Sequence, residues 1–341
     1  MLSHEKAVLF NTQLTAKSSK LIYPPQNFVD LIWKDKPPKS KEPIFIQPME
    51  FTGKEASTKL AELRSWIKSQ PPATLSYSKA PATPSQMHVA TLITSLSSIG
   101  TSLPVHLIKF YNDILNIAYV LNLRGGDIPF NPLFHSYLFV AIDRAVLFTD
   151  SVKVNEDVRT YLHSLGVERK EYNDLWSFLR RREWGEGKVL ISPQTSYAIS
   201  LMLTHFRYTI APSIVDDIKA IKNELELDGM RRAYLRDGAS FVRWFAWLEE
   251  KLAQGYEITE YEAAWRLTEF RKHNKHYWGL AYQNISASGA NAGMYLSTDS
   301  CYDSLILLIL YISSSSLLTN EKRSESDRPR DSLFEVRDTV A

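Results

Sequence analysis

The sequence contains one cysteine, Cys301, in 341 residues. One thiol cannot build an internal disulfide framework, so the fold must rest on core packing, as suits a reducing compartment. Charge of one sign is also missing. Forty Lys+Arg against 38 Asp+Glu leave a net charge of +2, too even to steer the chain towards nucleic acid or anionic lipid. Long apolar runs are scarce. Residues 7–10 are too few for the apolar core of a secretory signal, and the longest run, residues 305–312, falls well below the roughly 20 residues of a membrane helix. These absences predict a soluble, cytoplasmic protein with no nucleic-acid partner and no membrane partner.

The composition that is present, 44% hydrophobic and 23% charged, is ordinary for a globular protein. The length exceeds what one core usually organises, so two or three domains are expected. Phe28, Val29, Leu31, Ile32 and Trp33 form an extended-looking apolar run. Pro37 and Pro38, set among lysines, then forbid helix and mark a linker, with a boundary near residue 42. Residues 56–70 place Leu60, Leu63, Trp66 and Ile67 on one helical face, with Lys59, Glu62, Arg64 and Lys68 mostly elsewhere. Pro71 and Pro72 end that helix, and residues 71–87 read as loop.

Further on, short apolar and amphipathic segments alternate. Residues 136–141 and 145–148 read as buried strands separated by Asp143 and Arg144. Asn155 is positioned to cap a helix that runs to His163 and stops at Gly166. A second helix over residues 171–182 and a strand over 188–192 complete an α/β domain ending near residue 212. Beyond Pro212 the pattern is helical. Ser213 with Asp216, and Thr259 with Glu262, are capping-box pairs. Helices are expected over residues 224–252, stopped by Gly255, and from Thr259 to Arg271. This last region has the helices of an α+β domain with hardly any strands to receive them.

Residues 121–132 are dense in turn chemistry. Gly125 and Gly126 permit positive φ, Asp127 can bond its own backbone, and Pro129 and Pro132 fix φ. The stretch reads as a rigid structural loop, or as the wall of a peptide site supplied by a non-catalytic domain. Arg180, Arg181 and Arg182 suit the solvated C-terminus of a helix. Glu269, His273 and His276 have a spacing compatible with a metal site, but no further ligands lie nearby, and a solvated helical face is favoured. Phe241, Trp244, Phe245 and Trp247 read as core. Glu224 with Glu226 and Glu249 with Glu250 read as solvation, and Cys301 lacks the partners of a nucleophile. Residues 278–282 read as a strand, followed by a tight turn in the small-residue stretch 286–292.

Several strings occur together and in a definite order: NFVDLIWKDKPP (27–38), IAYVLNLRGGDIPFNPLFHSY (117–137), DIKAIKNE (217–224), RRAYLRDGA (231–239), WLEEKL (247–252) and ISASGANA (285–292). In these the chain resembles the Xaa-Pro aminopeptidase (aminopeptidase P) family of creatinase/pita-bread metallopeptidases. The resemblance implies an α/β fold class, with a creatinase-type α/β domain followed by an incomplete α+β pita-bread domain. It divides the chain into a remnant of a first creatinase-type domain and linker (1–42), a second such domain with an insertion near 100–116 (43–212), the start of a pita-bread domain (213–296) and a non-family tail (297–341).

The resemblance also implies Mn2+ as the cofactor of the intact family, held by two Asp, one His and two Glu. Proline-containing peptides are the implied partners, and a homodimer the implied assembly. Arg124, Gly125, Asp127, Pro129, Asn131, Pro132, Arg236, Asp237, Gly289 and Asn291 are the implied structural residues. Two departures bear on activity. The family's substrate-binding histidine falls at Leu296, and the tail from residue 297 has no histidine and no family metal motif; Asp299 and Asp303 do not reproduce it. No catalytic residue and no metal ligand are therefore assigned. The expectation is a metalloaminopeptidase relative that is inactive alone, or a non-catalytic interaction and dimerisation module. The insertion and the abrupt loss of family pattern after 296 also fit a gene model with a retained intron and a misread end.

Overall fold

The computed structural model describes residues 2–15, 28–71, 87–94, 112–204, 207–282 and 286–288, with residues 17, 19, 22 and 284 besides. Contacts divide it into two units, one running to Glu226 and one from Leu227 onward. The first unit opens with α1 (His4–Thr15), α2 (Phe28–Ile32), β1 (Phe45–Ile46), α3 (Met49–Thr52) and α4 (Ala56–Ser69). Next come β2 (His88–Thr94), α5 (Asn112–Leu121), β3 (Leu123–Arg124), β4 (Tyr137–Ala141) and β5 (Ala145–Phe148). It continues through α6 (Glu156–Ser164), β6 (Val167–Lys170), α7 (Asp174–Arg181), β7 (Lys188–Ile191), α8 (Tyr197–Leu203), β8 (Tyr208–Ile210) and α9 (Ile214–Ala220).

A six-stranded mixed sheet in the order β6-β5-β4-β2-β7-β8 organises this unit. β4 and β5 form an antiparallel hairpin that sets Tyr137 opposite Phe148 and Val140 opposite Ala145. Every residue of both strands is buried, which explains their unbroken apolar sequence: a strand covered on both faces has no solvent side to alternate towards. One face packs Leu60, Leu63 and Ile67 of α4 and Val158 and Leu162 of α6 over Leu138, Val140 and Leu147. The other packs Phe178 of α7 and Ile199 of α8 over Phe139, Val146 and Phe148. β2 lies at the centre, antiparallel to β4 and parallel to β7.

Local signals set several boundaries. Asn155 caps α6, its Oδ1 accepting from the Val158 amide at 2.9 Å, and Gly166 follows with φ 65°. Arg180 and Arg181 fill the last turn of α7, and Arg182 closes it in the left-handed region. Ser213 stands at the start of α9, but its hydroxyl makes no cap hydrogen bond; the Asp216 amide donates to the Ser213 carbonyl instead. The run from Phe28 is helical, not extended. Its apolar residues fall at i, i+1, i+3 and i+4, and so short a run does not separate the two periods.

The second unit contains most of α10 (Glu224–Ala253) and all of α11 (Glu260–Lys272). Trp244, Leu248, Ile258, Ala263 and Leu267 form its core. The Trp244 indole donates to the Ala263 carbonyl at 2.8 Å, so the large side chain is buried with its one polar atom satisfied. Phe245, expected in this core, is 48% exposed because it lies one position round the helix from Trp244. Thr259 caps α11, accepting from the Glu262 amide at 3.1 Å. The strand expected over residues 278–282 is irregular chain; no described segment pairs with it, and a strand needs a neighbour to bond.

Candidate functional site

The turn-rich segment expected to be a rigid loop is one, though for different reasons. α5 ends at Asn122, whose φ is 51°. Its side chain is bonded on both sides: Nδ2 donates to the Lys54 carbonyl at 2.8 Å and Oδ1 accepts from Lys59 Nζ at 2.7 Å. Lys59 was expected on the solvent side of α4, yet it is 3% exposed. Its ammonium also donates to the Tyr119 carbonyl at 2.9 Å and lies 3.7 Å from the centre of the Tyr119 ring. Burial pulls the Lys59 amine down to about 8, against the opposing pull of Glu226. Burial pushes the Tyr119 phenol up to about 12.

Arg124 turns back on α5, Nη1 donating to the carbonyls of Ala118 at 2.9 Å and Leu123 at 3.0 Å; burial lowers its guanidinium, with Glu226 opposing. Gly125 and Gly126 do not use positive φ; that conformation falls on Phe130, at 65°. Pro129 precedes it, as in turns with positive φ at their third residue, and the Asn131 amide donates to the Ile128 carbonyl at 3.2 Å. Gly125 is required for space, since a Cβ there would sit 2.7 Å from Phe134 Cβ. The Gly125 amide donates to the Pro132 carbonyl at 3.1 Å. Pro129 and Pro132 thus shape the loop, and Asn131 joins through its backbone.

Asp127 anchors the whole. Its side chain is 2% exposed, and Oδ2 accepts from the His135 amide at 2.7 Å, from His135 Nδ1 at 3.0 Å and from Lys153 Nζ. Burial alone would raise this carboxyl, but the bonds from His135 and Lys153 outweigh it and hold Asp127 at about 2. Lys153 carried no signal in the sequence, and His135, though inside the 117–137 string, was not singled out. Lys153 reads as a surface lysine after Asp150, and only the fold brings the strand-to-helix turn it occupies under the loop.

In the second unit Asp237 forms a two-pronged ion pair with Arg271, at 2.6 Å to Nε and 3.3 Å to Nη2. Arg271 also reaches Asn284 Oδ1 at 3.0 Å. Arg236 contributes its carbonyl, which accepts from Ser240 Oγ at 3.2 Å and Asn274 Nδ2 at 3.3 Å. Glu260 accepts from the amide and hydroxyl of Ser288 at 2.6 and 2.8 Å, which ties the start of the small-residue stretch to α11. Gly289, Asn291, Leu296, Asp299, Cys301 and Asp303 lie outside the described residues, as does most of the expected insertion.

Glu269, His273 and His276 do not make a common face. Glu269 pairs with Lys272 at 2.6 Å, His273 Nδ1 contacts the Glu269 carbonyl at 2.7 Å, and His276 lies beyond α11 with φ 64°. Glu226, read as solvation, forms a reciprocal cap with Asn223 at 2.9 and 3.0 Å. Among the described residues no three His, Cys, Asp or Glu side chains group so as to hold a metal ion. The described residues therefore do not fit a dimetal centre. Their contacts are structural and fix one loop and one helix pair: Lys59, Lys153 and Arg271 are each engaged, and Asp127 is engaged through Oδ2 while its Oδ1 is buried without a hydrogen bond.

Residues 106–226 match the Creatinase/Prolidase N-terminal domain. This segment of the chain is a creatinase/prolidase-type N-terminal domain. The chain's relatives include a probable Xaa-Pro aminopeptidase P of Neurospora crassa, 33% identical over 79% of this chain and 36% of that protein. A second, from Laccaria bicolor, is 33% identical over 86% of this chain and 41% of that protein. Among solved structures, the X-prolyl aminopeptidase of Caenorhabditis elegans, described as a cytosolic enzyme with a di-nuclear active site, superposes with a TM-score of 0.71 at 28% identity. That match covers 84% of this chain and 42% of the nematode protein. The chain thus spans about two fifths of the length of these relatives. The mixed α/β sheet with its helical layers is the creatinase-type fold that the motifs implied. No helix among the described residues is long and apolar enough to cross a membrane.

Proposed function

We propose that the protein belongs to the hydrolysis of Xaa-Pro peptides, and that this chain supplies the creatinase-type domain and the first helices of a catalytic domain without the metal-bearing residues. The observation that carries the reading is the match to the nematode X-prolyl aminopeptidase over 84% of the chain. The loop anchored by Asp127 is then a scaffold beside a peptide site, since Asp127 Oδ2 is engaged by His135 and Lys153 and Arg124 by backbone carbonyls. Mn2+ is the proposed metal of the intact enzyme, held by carboxylates and one imidazole. The sequence after residue 288 carries no histidine, so it cannot provide that imidazole. Proline-containing peptides as ligands, a second subunit as partner and a cytoplasmic location belong to the same proposal.

The test is release of arginine from an Arg-Pro-Pro peptide by the purified 341-residue chain with Mn2+ added. No turnover and less than one bound metal per chain are expected; turnover by a homogeneous preparation of the correct mass overturns the proposal. A second reading, a non-catalytic interaction module, is favoured by the outward face of α10. Leu235, Val242 and Phe245 share one side of that helix, and all are exposed. Self-association abolished by Leu235→Glu would support it, and a monomer at all concentrations would count against it.

A further inference from the structure

The first described residues of the chain are fastened to the first unit through an exchange of backbone bonds. Ser3 and Ser196 form an antiparallel bridge. The His4 amide donates to the Thr195 carbonyl at 2.8 Å, and the Tyr197 amide returns a bond to the Leu2 carbonyl at 2.9 Å. The Glu5 amide donates to the Pro193 carbonyl at 3.1 Å, and Gln194 Nε2 donates to Glu5 Oε2 at 2.9 Å. From this bridge α1 continues along α8, with Ala7 fully buried and Val8, Leu9 and Phe10 exposed on the outer side. Few apolar side chains hold α1 down. Its seat depends on the polar contacts at its first turn.

His4 is the side chain at the centre of those contacts. Its ring lies 5.9 Å from the Tyr197 ring and 5.6 Å from the Tyr208 ring, meeting the latter edge-on at 79°. His4 Nδ1 is 3.1 Å from Ser200 Oγ. The Ser200 hydroxyl donates its hydrogen to the Tyr197 carbonyl at 2.8 Å, so its oxygen accepts from Nδ1–H. The neutral ring makes this bond with its one proton on Nδ1. A second proton would go to Nε2, which has no acceptor among the described residues, and would place a positive charge at the N-terminus of α1, where the macrodipole opposes it.

No neighbouring group compensates that charge. The ring is faced by the Tyr197 phenol and the Ser200 hydroxyl from α8, and by the Tyr208 phenol from β8. Glu5, next in the chain, is engaged by Gln194, and no carboxylate among the described residues pairs with His4. Lys6, on α1, and Arg207, beside Tyr208, add positive charge to these elements.

We propose that His4 makes α1 an acid-released strap, seated on α8 and β8 when the imidazole is neutral and set free when it is protonated. Burial lowers the docked imidazole below its ordinary 6.5, so the undocked strap binds a proton more readily. Docking is therefore strongest above about pH 6.5 and weakens as pH falls through that value.

Hydrogen exchange of the intact chain, corrected for the intrinsic rate, tests this at about pH 7.5 and about pH 5. The amides of α1 should be protected at the higher pH and lose protection at the lower one, while those of β4 and β5 keep theirs. His4→Phe, which keeps a ring between the two tyrosines, should hold α1 protected at both values. His4→Lys should leave it unprotected at both. Wild-type protection that does not change with pH overturns the proposal. So does a loss at low pH that persists in His4→Phe, because the titrating group would then lie elsewhere.

Discussion

Asp127 shows most directly how a charge can be buried and still stabilise. Three donors converge on one of its oxygens, and its carboxyl is held at about 2, below the ordinary value near 3.9. A group with a lowered folded-state pKa contributes stability above its unfolded value and loses it as pH falls through the folded one. Asp127→Asn should therefore cost about 3 kcal/mol near neutrality, where it leaves Lys153 buried without its counter-charge. In urea unfolding the gap between variant and wild type should narrow between about pH 4 and about pH 2. Lys59 works in the opposite sense. Its amine is lowered to about 8 by burial, so the penalty of burying the charge is full below that value and relieved as pH rises towards about 10.4. Wild-type stability should gain in that alkaline window from this residue, and Lys59→Met should lose that gain. The structural role of Asp127 in the loop was legible in the sequence, though its partner Lys153 was not, and the burial of Lys59 was not legible at all. A lysine on an amphipathic helix reads as solvent-facing, and only the carbonyl of Tyr119 and the left-handed Asn122, brought in from α5, show why this one is inside.

At the scale of elements, legibility followed local chemistry. The hairpin of β4 and β5, the apolar face of α4 and the caps at Asn155 and Thr259 were readable because each is set by residues within a few positions of one another. The central strand β2 was not anticipated. It lies among proline- and serine-rich stretches, and its place between β4 and β7 is decided by partners more than 40 residues away. The positive φ at Phe130 was missed for a related reason: Gly125 and Gly126 offered the cheaper site for it, but Gly125 is spent on the close approach of Phe134. The caps allow a direct check. Asn155→Ala removes the acceptor of the Val158 amide and should lower stability by about 1 kcal/mol, and Thr259→Ala should do the same for α11. Chemical denaturation followed by circular dichroism reads both, and replacement by Asp at either position should restore most of the loss.

At the scale of the whole molecule, a family motif and a working centre come apart. The strings in which this chain resembles the creatinase/prolidase family are largely those that build buried structure: Arg124 folds back on α5, Asp127 ties down the loop, and Asp237 pairs with Arg271. Each of these side chains is engaged in structural contacts, and none belongs to a metal-holding group among the described residues. The consequence is measurable through linkage. A metal that binds the folded state stabilises it by RT ln(1 + [L]/Kd), which reaches about 2.7 kcal/mol at a hundredfold excess over Kd. The described residues present no grouping able to hold such an ion. Thermal unfolding of the 341-residue chain should therefore be indifferent both to Mn2+ added at millimolar levels and to its removal by a chelator. A rise in the midpoint with Mn2+ that the chelator reverses would show that the chain assembles a metal centre after all, and would return it to the catalytic class.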